Sequence, residues 1–388
     1  MGNAWDAAQS VVKTLKENGY RTYIVGGAVR DRLLGRDIAD VDVVTEAAAQ
    51  TVETMFKKTF RMNNDHDTVI VRAHGEHIEV TTMRGKTIEE DLKSRDLTIN
   101  SIAYDTALID PLGGYDDIKK RLLRSFEADA RMKEDPLRML RVYRFMSELG
   151  FHIANDLTEA IKANKQLLES VAIERIVKEW LKLMQGTNRN EALRHMVEET
   201  ELYRHIPKLA LTKESIAKLR HLPSLREESE TFCWFMFCLC QAWERATPLK
   251  KFALANELLR AVNVRLDFYH ARKTSDWNDT MLYEATLSVA LDVEKARQMF
   301  QLETEAPSLL KERWDALPIK NARELAINGH DLLKDGCRPG PWIKEELKWA
   351  EYAVVTREVK NDKEALLDAL ERRRTSGEGG APKNISTT

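Results

Sequence analysis

Two aspartates separated by one residue, Asp40-Val41-Asp42, are the first residues in this sequence whose spacing suggests chemistry. They open a period-two run over residues 40–44, and on a strand positions two apart point to one side, so both carboxylates face a common point. Side by side they raise each other's pKa unless a cation lies between them, and Mg²⁺ takes hard oxygen ligands while keeping positions open for phosphate oxygens. Upstream, Gly26-Gly27-Ala28-Val29-Arg30-Asp31 joins a strand-like segment to a helix-like one. A glycine pair there lets backbone N–H groups approach a polyphosphate, and Arg30 can add charge-assisted bonds to it. Glu79 is a candidate third carboxylate, either a ligand of a second metal or the group that draws a proton from an attacking hydroxyl. Each also has a plain structural reading: a turn, a solvated strand end, an exposed strand residue.

These residues require a small mixed unit to hold them. Residues 7–18 carry the periodicity of an amphipathic helix, 21–25 of a short strand and 29–34 of a helix; 69–73 and 77–82 read as strands around the turn His74-Gly75-Glu76. Asp110-Pro111-Leu112-Gly113-Gly114 is a turn that closes the unit. From about Leu122 strand signals stop, and residues 134–149, 156–170 and 173–184 read as successive helices. Residues 336–341 read as a loop and 376–388 as a frayed, Gly/Ser/Thr-rich end. No repeat of fixed period is visible.

The 388 residues are too many for one core, so two to four structural units are expected. A net charge of −2 excludes a polycation, so any nucleic-acid partner must be met by local basic surfaces. The richest apolar run, residues 232–239, is too short to span a bilayer and suits a buried helix. MGNAWDAAQS lacks a basic stretch followed by an apolar one, so the cytoplasm is the expected location and no membrane partner is expected. Cys233, Cys238, Cys240 and Cys337 form no C-x-x-C pair and read as reduced structural thiols. Lys250, Lys251, Arg260, Arg265, Arg272 and Lys273, with Phe252, Tyr269 and Trp277 among or beside them, read mostly as solvated helix faces. His330-Asp331 stands alone and reads as a turn or cap.

The ordered set of motifs resembles something more specific. Gly26-Gly27-Ala-Val-Arg30-Asp31, Asp40-Val-Asp42, Arg95-Asp96-Leu-Thr-Ile-Asn100, Asp110-Pro-Leu-Gly-Gly, Glu134-Asp135-Pro-Leu-Arg138 with Arg141 and Arg144, and Glu174-Arg175 are similar, in that order, to the motifs of bacterial class II tRNA nucleotidyltransferases. These belong to the DNA polymerase β-type superfamily and include CCA-adding, CC-adding and A-adding enzymes and poly(A) polymerases. The match is strong over roughly the first half of the chain; Leu317-Pro-Ile-Lys, Ile327-Asn-Gly-His-Asp and Pro339-Gly-Pro-Trp support it more loosely.

The resemblance implies an α+β fold: a polymerase β-like nucleotidyltransferase head (1–121) followed by an elongated all-helical neck (122–185), body (186–255) and tail (256–375). It implies that Gly26, Gly27 and Arg30 hold a triphosphate, that Asp40 and Asp42 hold two Mg²⁺ ions, and that Arg95 binds nucleotide, with Asp96 and Asn100 near the sugar or bracing the site. Residues three apart share a helix face, so Asp135 and Arg138 are expected side by side. A carboxylate facing an amino group and a guanidinium facing ring acceptors suits cytosine and adenine, and leaves uracil or guanine with unpaired buried charge. Arg141 and Arg144 would brace that pair or reach phosphates. The expected partners are tRNA lacking its 3′ CCA, CTP, and ATP if the full CCA is built.

Two departures refine the expectation. In CCA-adding relatives a long flexible loop separates the strand of Glu79 from Arg95; here Val80-Thr-Thr-Met-Arg-Gly-Lys-Thr-Ile-Glu-Glu-Asp-Leu joins them almost directly. That loop is thought to help the base site change from CTP to ATP, and a pocket serving two bases needs an element whose contacts differ between the two states. The expected activity is therefore CC addition, the final A being left to a separate A-adding enzyme; full CCA addition, A addition, poly(A) synthesis and a silent tRNA-binding protein are the alternatives. Second, Ser94 stands where the family usually has an arginine beside Arg95.

Overall fold

The computed structural model describes residues 4–38, 40–62, 67–333 and 339–376, so Cys337, part of the loop at 336–341 and the end at 377–388 lie outside the described residues. The chain divides into two compact units, Met1–Glu228 and Ser229–Thr388.

The first unit begins with α1 (Ala4–Glu17), whose Trp5, Ala8, Val11, Val12 and Leu15 recur at helical spacing and are buried. Next come β1 (Thr22–Val25), α2 (Gly27–Leu33), β2 (Val41–Thr45), α3 (Ala49–Met55), β3 (Thr59–Arg61), β4 (Thr68–Ala73) and β5 (Glu76–Thr82). After α4 (Ile88–Lys93) the short strands β6 (Ala103–Tyr104) and β7 (Leu108–Ile109) complete a seven-stranded sheet in the order β3-β4-β5-β2-β1-β6-β7. Among the described residues of this sheet only β2 and β5 run parallel. The three strands that the sequence did not signal, β3, β6 and β7, have two or three residues each, too few to display a period.

Alternation gives the sheet two unlike faces. Val41, Val43, Val69, Val71, Ile78 and Val80 are at most 1% exposed, on the side where α1 and α3 pack. On the other side Val25 and Val44 join Met83, Ile88, Leu92 and Ala103 in a core cluster under α4. Asp42, Ile70 and Glu79 share that second side and stand beyond the cluster's edge.

The helical part departs from the sequence reading in two places. Strands do not stop at Leu122: after α5 (Gly114–Lys120), β8 (Leu122–Leu123) pairs in parallel with β9 (His152–Ile153). The helix expected over 134–149 is two, α6 (Ala128–Glu134) and α7 (Leu137–Leu149), with Asp135 extended between them at φ −140°, ψ 98°. Pro136 is the cause, since its ring disfavours helical geometry in the residue before it. The expected 156–170 helix is α8 (Asn155–Asn164) followed by a 3₁₀ segment over Lys165–Ser170; α9 (Ile173–Gln185), α10 (Arg189–His195) and α11 (Lys213–His221) follow.

The second unit is helical among its described residues: α12 (Glu230–Cys240), α13 (Asn256–Ala271), α14 (Asp279–Met299), α15 (Pro307–Asp315), α16 (Trp342–Val355) and α17 (Lys363–Thr375), with short 3₁₀ turns. α12 is apolar almost all round and buried, as its sequence required, and Cys233, Cys238 and Cys240 are buried in it and form no disulfide among the described residues. Arg272 is not solvated: its Nε donates to the buried Glu294 at 2.9 Å, which also accepts from Trp277 Nε1 at 2.9 Å. Phe252, Tyr269 and Trp277 are core residues. His330-Asp331 closes a turn, with Asn328 N–H donating to Asp331 and His330 N–H to Asn328, both at 2.9 Å. No described helix is long and apolar enough to cross a membrane.

Candidate active site

Parallel pairing of β2 with β5 puts Asp42 directly opposite Glu79. Asp40 lies just before β2 and is exposed. Burial pushes the Asp42 carboxyl above its ordinary pKa; Asp40 adds to this, while Arg95 and Arg141 oppose it. Burial, then Asp42 and Asp40, push Glu79 upward too. The three acids thus form a patch of hard oxygen donors whose mutual repulsion a cation would relieve, and this donor set fits Mg²⁺. Among the described residues no three such side chains already converge on one metal-binding point.

Gly26 takes φ +73°, and a Cβ there would lie 3.0 Å from Arg95 Nη1 and 3.7 Å from Asp42 Oδ2. Only glycine suits that conformation, and its bareness lets the chain pass close to both side chains. From α2, Arg30 donates through Nη1 to Asn100 Oδ1 (2.6 Å) and through Nε and Nη2 to Asp31 (3.0 and 2.9 Å). Asn100 Nδ2 donates to Asp96 Oδ1 at 3.1 Å, and Asp96 Oδ2 accepts from Arg141 Nε (2.9 Å) and pairs with its Nη2 (2.7 Å). A continuous polar chain therefore joins Arg30 to α7 through the buried Asp96. Burial alone would raise the pKa of Asp96, but Arg141 and Asn100 outweigh it and hold the carboxyl well below the usual range. Arg141 is reciprocally raised by Asp96.

Asp135 and Arg138 are not paired on one helix face. Asp135, in the extended link, accepts from Arg175 Nη1 and Nη2 at 3.2 and 2.8 Å. Arg138 donates to Glu134 (2.9 Å) and to the Ser94 carbonyl (3.1 Å), so Ser94 contributes backbone to this cleft. Both nevertheless line one cleft of about 400 Å³ with Asp42, Glu79, Arg95, Asp96 and Arg141. An adjoining cavity of about 510 Å³ is lined by Gly26, Gly27, Arg30, Asp40, Asn100 and Arg144, and again by Asp42, Arg95, Asp96 and Arg141. Every site residue drawn from the sequence lines one cavity or the other.

Four residues escaped that reading. Arg175 stood in a motif but was given no role. Glu179 on α9 meets Arg141 at 3.3 Å and Arg144 at 2.8 Å. The Phe145 ring lies 3.9 Å from the Arg144 guanidinium, 5.2 Å from that of Arg30 and 5.6 Å from that of Arg141. Asp91 accepts from Arg95 Nε at 3.1 Å. The i,i+4 spacing of Asp91 to Arg95, and of Arg141 to Phe145, was the available signal.

A sheet-bearing head with a carboxylate pair beside a glycine turn, followed by helices that bring arginines to its cleft, defines a nucleotidyltransferase. Residues 22–124 match the Poly A polymerase head domain family, 150–222 the probable RNA- and SrmB-binding site of polymerase A, and 223–370 tRNA nucleotidyltransferase domain 2. The chain belongs to the metal-dependent tRNA nucleotidyltransferase family. It is 40% identical over 372 residues to a CC-adding tRNA nucleotidyltransferase of Shouchella clausii, covering 95% of this chain and 98% of the relative. It is 37% identical over 395 residues to a CCA-adding enzyme of Geobacillus stearothermophilus, covering 95% and 97%. The crystal structure of the Bacillus stearothermophilus CCA-adding enzyme with CTP superposes with a TM-score of 0.86 at 36% identity, over 97% of this chain and all of that one.

Proposed function

We propose that this protein adds two cytidine nucleotides, from CTP, to the 3′ end of tRNA lacking its CCA, and leaves the final A to a separate A-adding enzyme in the cytoplasm. The reading rests on one observation: Asp42 and Glu79 line a common cleft with Asp135 and Arg138, and Asp42 also lines the adjoining cavity of Asp40. The tRNA 3′-hydroxyl attacks the α-phosphate of CTP in line, and pyrophosphate leaves. Gly26, Gly27 and Arg30 hold the triphosphate and Arg95 the nucleotide; Asp96 and Asn100 brace Arg30 against Arg141. Glu79 receives the hydroxyl proton or serves as a further metal ligand. Asp40 and Asp42 would hold two Mg²⁺ ions, which when bound neutralise charge developing on the phosphates. Asp135, oriented by Arg175, accepts from the cytosine amino group, and Arg138 donates to the ring acceptors. Arg144 stiffens this wall through Glu179 and Phe145. Residues 1–121, 122–185, 186–255 and 256–375 act as head, neck, body and tail, the last two gripping tRNA through its phosphates.

The preference for CC over CCA is supported by the link between β5 and α4, residues 83–87. Arg84 N–H donates to Asp91 (2.9 Å) and Lys86 N–H to Glu90 (2.6 Å), while Arg21 Nη2 donates to the Lys86 carbonyl (2.9 Å). Thr87 caps α4 by accepting from Glu90 N–H. So stapled, the link cannot act as a long lever between two base-binding states. Purified protein given trimmed tRNA and each NTP separately should incorporate C twice and then stop. Addition of A after C-C at a comparable rate would replace this reading with full CCA addition.

A further inference from the structure

The cavity walled by Gly26, Gly27 and Arg30 is also lined by Arg36 and Glu148, and these two residues line a third cavity, of about 240 Å³. The two cavities are therefore neighbours. Lys182 and Arg226 line the third one as well, so three cations meet there against one carboxylate. Glu148 lies 3.7 Å from Arg144, and Arg226 lies 3.8 Å from Glu227. Arg36 and Lys182 have no ion-pair partner among the described residues. Fixed backbone builds this pocket. Ser147 Oγ donates to the Leu183 carbonyl at 2.7 Å, and a Cβ on Gly186 would lie 1.9 Å from that Oγ. The buried Arg189 donates to the Met184, Leu219, Leu222 and Pro223 carbonyls at 2.6–3.0 Å. Gln185 Nε2 donates to the Glu228 carbonyl at 3.1 Å. These bonds clamp the end of α9, which carries Lys182, to the segment that carries Arg226.

Resting on the transferase reading, we propose that the third cavity is a second anion site, a way station for the leaving product. Inorganic pyrophosphate, once cut from CTP, passes Arg36 and is held by Lys182 and Arg226 before it departs. In-line displacement keeps the attacking and leaving oxygens on opposite sides of the phosphorus. The RNA end therefore approaches from the side away from the triphosphate wall, and cytosine fills the cleft of Asp135 and Arg138. The cavity beyond Arg30 is left to the leaving group, which sets an RNA phosphate aside as its occupant. Arg36 belongs to both cavities, so the anion moves from Arg30 outward without losing contact with a cation. That continuity avoids the cost of a desolvated charge with no partner.

The test is equilibrium dialysis of the full chain against radiolabelled inorganic pyrophosphate with Mg²⁺ and saturating CTP, without RNA. CTP fills the triphosphate wall and is not consumed, so label retained by the wild type, one pyrophosphate per chain, reports the third cavity. Lys182→Ala with Arg226→Ala removes two charge-assisted contacts and should weaken this binding about tenfold or more. Lys182→Arg with Arg226→Lys keeps both charges and should retain it. Lys182 and Arg226 are exposed, so these variants should keep the wild-type melting temperature. KM for CTP and the affinity for trimmed tRNA, read by filter retention, should not change. Absence of label on the CTP-saturated wild type overturns the way station, because pyrophosphate then has only the triphosphate wall. Equal retention by the double alanine variant overturns it too. So does weaker tRNA binding in that variant with pyrophosphate retention unchanged, which would make the pocket an RNA-phosphate contact. Failure of the wild type to incorporate any nucleotide would count against the transferase reading, while the dialysis would still report on the pocket.

Discussion

Replacing Asp96 by alanine removes the joint between the triphosphate side of the cleft and α7. Its carboxylate, 8% exposed, accepts from Arg141 and Asn100 and from the Leu97 N–H at 2.9 Å. Without it Arg141 keeps Glu179, at 3.3 Å, and the Phe145 ring, and the Asn100 amide and Leu97 N–H lose their acceptor. Breaking a buried ion pair from one side costs about 3–5 kcal/mol. Arg141 retains some solvent access, its side chain being 32% exposed, which favours the lower end, about 3 kcal/mol. For a unit of this size that is a fall in Tm of roughly 6–12 °C, read by circular dichroism. Asp96→Asn keeps the shape and loses the charge, so it should fall by less. The folded pKa of Asp96 is depressed, so its stabilisation is present above the ordinary carboxylate pKa and fades as pH drops through the folded value. The gap between wild type and Asp96→Asn should therefore stay constant across neutral and mildly acidic pH and close only in strong acid. KM for CTP should rise in both variants, because Arg30 is held by Asn100, whose amide Asp96 accepts. A drop in Tm below about 2 °C for Asp96→Ala would refute the view that this chain ties the cleft together.

Asp42 has the opposite sign: its pKa is raised in the fold, so the protein is more stable below the unfolded carboxylate pKa and loses stability as pH rises through the folded value. Asp42→Asn should therefore raise Tm at neutral pH without metal and abolish incorporation, and Mg²⁺ should raise Tm only in the wild type; a destabilised Asp42→Asn protein would contradict this. Asp135→Ala should lower kcat/KM for CTP by one to two orders of magnitude and shrink the preference for CTP over UTP, measured in competition on trimmed tRNA; unchanged discrimination would remove Asp135 from base selection. Gly26→Ala should cost about 1–2 kcal/mol in urea unfolding and displace Arg95, whose Nη1 would lie 3.0 Å from the new Cβ; near-normal stability and activity would argue against the close approach described for this turn.

Composition, residue type and short-range spacing made much of this protein legible. Alternation marked β2, β4 and β5, apolar periodicity marked α1, and the apolar run 232–239 marked a buried helix. The glycine pair and the spaced aspartates marked the cleft, because local backbone geometry and charge repulsion depend on near neighbours along the chain. Pro136 carried the break before α7 in plain sight, yet the periodicity around it hid that Asp135 leaves the helix.

Only the tertiary structure decided what lies beside what. It placed Glu79 opposite Asp42 through a parallel pairing of strands far apart in sequence. It gave Asp135 to Arg175 and Arg138 to the Ser94 carbonyl, and put Glu179 between Arg141 and Arg144. It also buried Arg272 against Glu294. A sequence fixes which face of an element a side chain occupies, because that follows from its own period. The partner on another element depends on register and on which charges must be neutralised once water is excluded, and those are set only when the elements pack.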